Sequence, residues 1–426
     1  MVRPLIDYSQ VPSGDILAVD VKSFFASVES VKRGLHPLHS YVIVLSGKDR
    51  TSGMVLASSP LVKAEFGIKT GSRAFEIPRD PKLIIVEPRM SLYLKVNGLI
   101  NDIFRTFVAN EDLHSYSIDE SLLDIQKSKR LFGDAKSIAR QIQTEIWKQL
   151  KLVVTIGIGD NPLLAKLAMD NEAKKSPKGM AEWRYHDVPN TVWKIPKITD
   201  MWGIGQKTAQ SLNNIGIYSV YDLAHARLDV LKKKFGVLGE QIYYHAHGID
   251  YSVIRERYVP MSKSYGKSQI LMRDYIKQNE IEIVIREMAD QVAARLRAAN
   301  VECSVVHLSV GFSRDFPEKG FSHQVQVFPT SSSKQIIETC IKLFRNYYVD
   351  EPVRSIAISC GKVRERNFQQ LNLFESPEKS IANEKLEKII DNVRNRYGYA
   401  SLIHASSLMR GGTAISRSNL LGGHKS

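Results

Sequence analysis

The sequence predicts a multidomain protein of mixed class, an α/β portion followed by an α+β portion. Three observations carry this. The chain's 426 residues exceed one ordinary core, so roughly two to four domains are needed. Up to about residue 186, short apolar strands alternate with helical patterns. Beyond residue 265 the order becomes strand, helix, strand, helix, strand, as in a small sandwich with helices on one face of a sheet.

Residues 15–21 read as a short buried strand, and 23–31 as a helix starting at its end. Loops rich in Pro, Gly and charge then surround small strands at 41–45, 54–57 and 83–86. A long helical pattern covers 91–108. Strands at 117–125 and 151–157 bracket a helix near 135–149. The stretch to about residue 250 is helical and broken by Gly203, Gly205, Gly216, Gly236 and Gly239. A basic linker leads to strands at 266–271, 305–313 and 355–361, with helices at 281–299 and 333–347. A polar segment, a helical stretch at 383–396 and a Gly/Ser-containing tail close the chain.

Hydrophobic residues make up 43% of the chain, which argues against general disorder. No run approaches a membrane span, and no signal-peptide layout opens the sequence. Cys303, Cys340 and Cys360 are odd in number and widely spaced. They offer neither a disulfide framework nor a zinc spacing, so a reducing cytoplasm is the expected location. Lys and Arg total 59 against 45 Asp and Glu, a net charge of +14, with the excess leaning toward the C-terminal part. A surplus of this kind suits a polyanionic partner, although solubility alone could account for it.

Asp20 closes the apolar run 16–19, and Asp119 with Glu120 lies inside the SIDES run, 117–121. A carboxylate among apolar strand residues is costly unless paired or metal-bound. If the two strands are neighbours, Asp20, Asp119 and Glu120 converge on one sheet edge, and divalent cations relieve their repulsion. Hard oxygen ligands favour Mg²⁺ over zinc, and two such ions serve in-line displacement at phosphorus. Solvated strand ends are the commoner meaning of such acids.

The motif AVDVKSFFASVES, 18–30, followed about a hundred residues later by SIDES, resembles the Y-family DNA polymerases, and within them the UmuC-like branch. The resemblance runs over nearly the whole chain. It implies a right-hand polymerase: palm at 1–23 and 87–186, small fingers at 24–86, a helix-hairpin-helix thumb at 187–254, a linker at 255–263, a little finger domain at 264–361, and a tail at 362–426. It further implies two Mg²⁺ ions held by Asp20, the Val21 carbonyl, Asp119 and Glu120. Phe25 falls at the family's steric gate against a ribose 2′-hydroxyl, while Phe24 suits the core. Lys174, with Lys175 as a rival, falls near the palm lysine that meets the triphosphate, and Ser58 where a hydroxyl often lies near the phosphates. The usual fingers Tyr and Arg are replaced by Leu61 and Ala64, leaving Lys63 or Arg73 to supply positive charge.

The segment 195–217 resembles a helix-hairpin-helix, with Gly203, Ile204, Gly205 and Lys207 facing a DNA phosphate through backbone amides and a helix N-terminus. Lys263 and Lys267 fall in the segment resembling the little finger's DNA grip. Gln370, Leu371, Leu373 and Phe374 belong to QLNLF, which resembles the bacterial sliding-clamp-binding pentapeptide. The implied partners are primer-template DNA, deoxynucleoside triphosphates, a sliding clamp and accessory subunits at the tail, with no membrane. The expected activity is template-directed, low-fidelity synthesis for DNA damage tolerance, without proofreading. A non-catalytic DNA-binding scaffold and a helix-hairpin-helix nuclease are the alternatives.

Overall fold

The computed structural model describes residues 6–47, 53–256, 259–313, 316–366 and 376–425, and forms two compact units that divide between residues 257 and 258. The principal strands of the first unit are Ile16–Val21 (β1), Val42–Ser46 (β2), Met54–Ser58 (β3), Ile84–Val86 (β4), Leu113–Ser115 (β5), Glu120–Asp124 (β6), Val154–Gly159 (β7) and Met180–Trp183 (β8). Its α-helices are Phe24–Val31 (α1), Pro60–Phe66 (α2), Met90–Arg105 (α3), Lys129–Phe132 (α4), Ala135–Leu150 (α5), Pro162–Ala168 (α6), Gln206–Asn213 (α7), Val220–Ala224 (α8), Leu228–Phe235 (α9) and Val237–Ala246 (α10).

Five strands form the main sheet in the order β5-β6-β1-β7-β8, with β1 antiparallel to both its neighbours. Alternation along β1 decides which face each side chain takes. Leu17, Val19 and Val21 pack with Ile100 of α3 and Ile138 and Ile142 of α5. Ile16 and Ala18 pack with Ala165 and Met169 on the other face, and Asp20 continues that second row. The expected strand at 117–125 is shorter than its apolar pattern suggested. The Ser117 N–H bonds to the Glu120 carbonyl, so the chain bends before the ladder begins at Glu120.

Helix α6 lies directly on β7. A Cβ on Gly157 would stand 2.0 Å from the Ala165 carbonyl oxygen, and one on Gly159 2.3 Å from the Ala165 nitrogen. Both glycines are therefore required by close approach of two backbones. The opposite side of α6, through Leu163, Leu164 and Leu167, joins the core of the helical segment that follows, with Val192, Met201, Leu212 and Leu223. Gly157→Ala is expected to cost more than about 3 kcal/mol and to lower the melting temperature in calorimetry. A melting temperature within about 1 °C of wild type would show that α6 can ride outward freely.

The second unit contains Tyr265–Tyr275 (β9), Val301–Phe312 (β10), Gly320–Thr330 (β11) and Val353–Gly361 (β12), ordered β11-β10-β12-β9 and antiparallel throughout. Gln278–Ala298 (α11) and Ser333–Tyr347 (α12) supply their apolar faces to its core. Strand β11 is absent from the sequence expectation. It is an edge strand on which only Thr330 is buried, and it carries Pro329, so its polar pattern resembles a loop. Pro377–Tyr397 (α13), six residues longer at its start than expected, and Ala414–Ser418 (α14) follow. Cys303, Cys340 and Cys360 are buried and free. Among the described residues no helix is long and apolar enough to cross a membrane.

Candidate active site

Pairing of β1 with β6 sets Asp20 opposite Glu120, and residues opposite one another share a face. Asp119 sits in the bend just ahead of β6. Its carbonyl accepts the Val21 N–H at 2.9 Å, and its carboxylate accepts the Ser117 hydroxyl at 2.7 Å. Asp20, Val21, Phe25, Lys63, Asp119 and Lys174 line a cavity of about 590 Å³. Glu120 is 8% exposed and is not part of the lining. Burial pushes the Asp20 carboxyl up to about 6, with Asp119 and Glu120 adding to the rise and Lys174 opposing it.

The lysines come from α6 and its continuation. Lys166 Nζ lies 2.6 Å from Glu120 Oε1 and 2.9 Å from Asp170 Oδ2. Lys166 is thus the charged partner of the buried Glu120 carboxylate. After α6 the chain makes a π-helical turn, Met169–Ala173, in which the Lys174 N–H reaches back to the Met169 carbonyl. Lys174 Nζ then lies 2.8 Å from Asp170 Oδ1 and 3.2 Å from Asp20 Oδ2. Burial works against its charge, yet Asp20 and Asp170 hold Lys174 above the ordinary lysine range. Lys175 instead lines a separate hollow with Asp170, Asn171 and the 199–205 loop.

On the other wall, Lys63 donates to the Ser23 hydroxyl at 2.8 Å. Burial lowers its pKa, and Asp20 partly restores it. Ser23 itself is left-handed, φ 51°, a conformation a non-glycine residue rarely adopts. It turns the chain from β1 into α1 and so sets Asp20 and Phe25 on the same cavity. Phe25 is half-buried and stacks on Tyr93, centroids 4.4 Å apart. The Tyr93 hydroxyl donates to Glu29 Oε1 at 2.9 Å, and Arg89 grips Glu29 with two bonds of 2.9 and 2.6 Å. Phe24, 2% exposed, belongs to the core.

Two of the expected nucleotide contacts do not reach this cavity. Ser58 is fully buried and its hydroxyl is spent on the Ile68 carbonyl at 2.7 Å. Arg73 bridges Met54 through its backbone and is not part of the lining, which Ala64 and Thr70 complete. Sequence reasoning missed Ser23, Glu29, Tyr93, Lys166 and Asp170. Of these, Lys166 and Asp170 were visible as charges spaced four residues apart, in step with the expected Lys174, beside an apolar helix face.

Gly203, φ 92°, turns the 203–205 hairpin, Ile204 is buried beneath it, and Gly205 caps α7 with Lys207 exposed in the first turn. Trp202 meets Tyr116 edge-on at 5.8 Å, and Lys166 lies 5.9 Å over the same Tyr116 ring. In the second unit Lys263 is exposed. Lys267 points to the helix side of β9, donating to Gln291, and burial lowers it to about 8. Gln370, Leu371, Leu373 and Phe374 lie outside the described residues.

Among the described residues no three acidic, cysteine or histidine side chains are grouped as a bound cation would need, and the Asp119 carboxylate accepts from Ser117. The donor set nonetheless fits a hard divalent ion. It is all oxygen, and Asp20 is undercompensated, its carboxyl raised by burial and by Asp119 and Glu120 despite Lys174.

Residues 19–170 match the impB/mucB/samB family model, 262–373 match the C-terminal domain of that family, and 199–250 match the thumb domain of DNA polymerase iota. The chain is 44% identical over 426 residues to a putative UV-damage repair protein, UvrX, of Bacillus subtilis, covering 99% of this chain and all of that one. A DNA polymerase IV of the same organism is 34% identical over 413 residues, 96% of this chain and 98% of its own. A Y-family DNA polymerase chimera of known structure superposes with a TM-score of 0.66 over 82% of this chain and 99% of its own, at 22% identity, which shows the shared fold. With two such relatives matched along almost their whole length, the chain belongs to the impB/mucB/samB family of Y-family translesion DNA polymerases.

Proposed function

We propose that this polymerase carries out template-directed, low-fidelity nucleotidyl transfer at the cavity built on β1 and β6, in translesion synthesis and damage tolerance. The observation that carries this assignment is the register of Asp20 against Glu120, with Asp119, Lys63 and Lys174 lining the same cavity as Asp20. Asp20, Asp119, Glu120 and the Val21 carbonyl would hold two Mg²⁺ ions. Bound there, the ions would activate a primer 3′-hydroxyl and neutralise the departing pyrophosphate.

The chain's own groups do the rest. Lys174 and Lys63 present point charges to triphosphate oxygens from two sides, in place of the fingers-helix arginine whose position holds Ala64. Asp170 keeps Lys174 aimed, and Lys166 compensates the buried Glu120. The Phe25 ring, held flat by Tyr93, fills the space of a ribose 2′-hydroxyl. The 203–205 hairpin offers backbone N–H groups to a DNA phosphate, which positions template without reading sequence. The segment boundaries given above for palm, fingers, thumb, linker, little finger and tail form part of the same proposal. So do a sliding clamp at Gln370–Phe374 and accessory proteins at the tail, where tethering would raise local concentration.

The test is primer extension on an undamaged primer-template with Mg²⁺ and the four deoxynucleotides, comparing wild type with Asp119→Ala. Wild type should extend, and the variant should lose at least about 10²–10³-fold in rate. Wild-type protein that binds DNA but never extends, with or without a bacterial clamp, would point to a scaffold. Mg²⁺-dependent loss of DNA without nucleotides would point to a nuclease.

A further inference from the structure

Helix α13 docks the wrong way round. An amphipathic helix ordinarily buries its apolar stripe. Here Ala382, Leu386, Ile389, Val393 and Tyr397 recur at spacings of four, three, four and four residues, the pattern of a coiled-coil seam. None of them belongs to the unit's apolar core. Leu386 is 55% exposed, Ile389 58% and Tyr397 66%. Among the described side chains of α13 only Arg394 is buried.

What faces inward is charge. Arg394 pairs with Asp290 of α11 at 2.7 Å, Asp391 with Arg297 at 2.6 Å, Glu387 with Arg297 at 3.4 Å, and Glu384 with Arg366 at 2.7 Å. Because the acids are spent on that seam, the exposed charges beyond the first turn are all basic: Lys385, Lys388 and Arg396. Lys388 also reaches Glu384.

We infer that the outer face of α13 is a docking surface for an acidic amphipathic helix of another protein, packed along the Leu386–Ile389 seam with carboxylates opposite Lys385, Lys388 and Arg396. This rests on, and sharpens, the reading of the tail as a partner-binding segment. A second copy of the chain fits poorly, since pairing this face with itself sets lysine and arginine against lysine and arginine. A bilayer fits poorly too, because the seam is narrow and the helix is clamped to a folded unit rather than free to lie in an interface.

The probe is a synthetic four-heptad peptide with Leu and Ile at the seam positions and Glu at the flanking ones, titrated against the full chain by fluorescence anisotropy. Its charge-reversed twin, with Lys in place of Glu, is the control. Binding of the acidic peptide, weakened about tenfold or more in L386D/I389D and in K385E, is the expected result. Primer extension should be unchanged in both variants, which shows that they fold. Equal binding of the two peptides, or none, would overturn the inference while leaving a partner elsewhere on the tail open. Self-association of the chain that L386D/I389D abolishes, or wild-type binding to phosphatidylserine vesicles that it abolishes, would overturn it in favour of a second copy or a membrane surface.

Discussion

Asp20→Asn is expected to abolish primer extension and, in the absence of metal, to make the protein more stable. The carboxylate is set at the end of the central strand, 17% exposed, opposite Glu120 and next to Asp119. Burial and those neighbours push it up to about 6 from 3.8. A folded-state value above the unfolded one means that the native protein holds the proton more tightly. The ionised group therefore costs stability above pH 6, and the cost fades as pH falls toward 4. Two pH units correspond to about 3 kcal/mol, and because that shift is already net of the Lys174 pairing, the variant should gain about 2–3 kcal/mol. Calorimetry in chelator at pH 7.5 should show a higher melting temperature for the variant, and at pH 4.5 the difference should have fallen to about a third. Extension, measured alongside with Mg²⁺, should fall about 10³-fold or more, because an amide cannot supply the anionic ligand. A variant less stable than wild type at pH 7.5 would mean that the Lys174–Asp20 pair outweighs the repulsion. A variant that still extends would remove Asp20 from the chemistry.

That trade of stability for function also explains what could be read from the sequence. Asp20 was legible because it interrupts a strand whose other residues are apolar, and alternation alone gives it the face of Ile16 and Ala18. Its pairing partner was not, because register is a tertiary property: nothing in SIDES says that Glu120 rather than Asp119 opposes Asp20. Lys174 could not be separated from Lys175 by helical spacing, since the π-helical turn at Met169–Ala173 shifts the phase by one residue just before them. Ser58 was expected near the phosphates only through the resemblance, and no sequence pattern shows that its hydroxyl donates to the Ile68 carbonyl. Lys267 lies on a strand, so one residue's shift decides between the open face and the helices, and it faces the helices. Strand β11 hid for the opposite reason to Asp20. An edge strand with one buried residue has almost no apolar signal to read.

Phe25→Ala is expected to let ribonucleotides in. The argument is one of volume and support. The ring lines the cavity and lies nearly parallel to Tyr93, at 15°, so it cannot swing away without breaking the stack. Tyr93 is fixed in turn, because its hydroxyl, Arg89 and Arg33 converge on Glu29, which has no exposure. A gate on so stiff a mount rejects an added hydroxyl by overlap, and removing the ring should shrink the preference for deoxynucleotides by about 10²-fold. Single-nucleotide incorporation with dCTP and CTP opposite template G would measure it, since the ratio of kcat/KM values isolates discrimination from general damage. The half-buried ring also contributes packing, so a stability loss of about 1–3 kcal/mol should accompany the change. Tyr93→Phe separates the two effects. It keeps the stacked ring and removes only the bond to the buried Glu29 carboxylate, so it should cost about 1.5–3 kcal/mol and leave sugar selection nearly intact. If Phe25→Ala discriminates as well as wild type, the ring is a core residue that happens to face the cavity, and the exclusion of ribose must come from the backbone around Ser23.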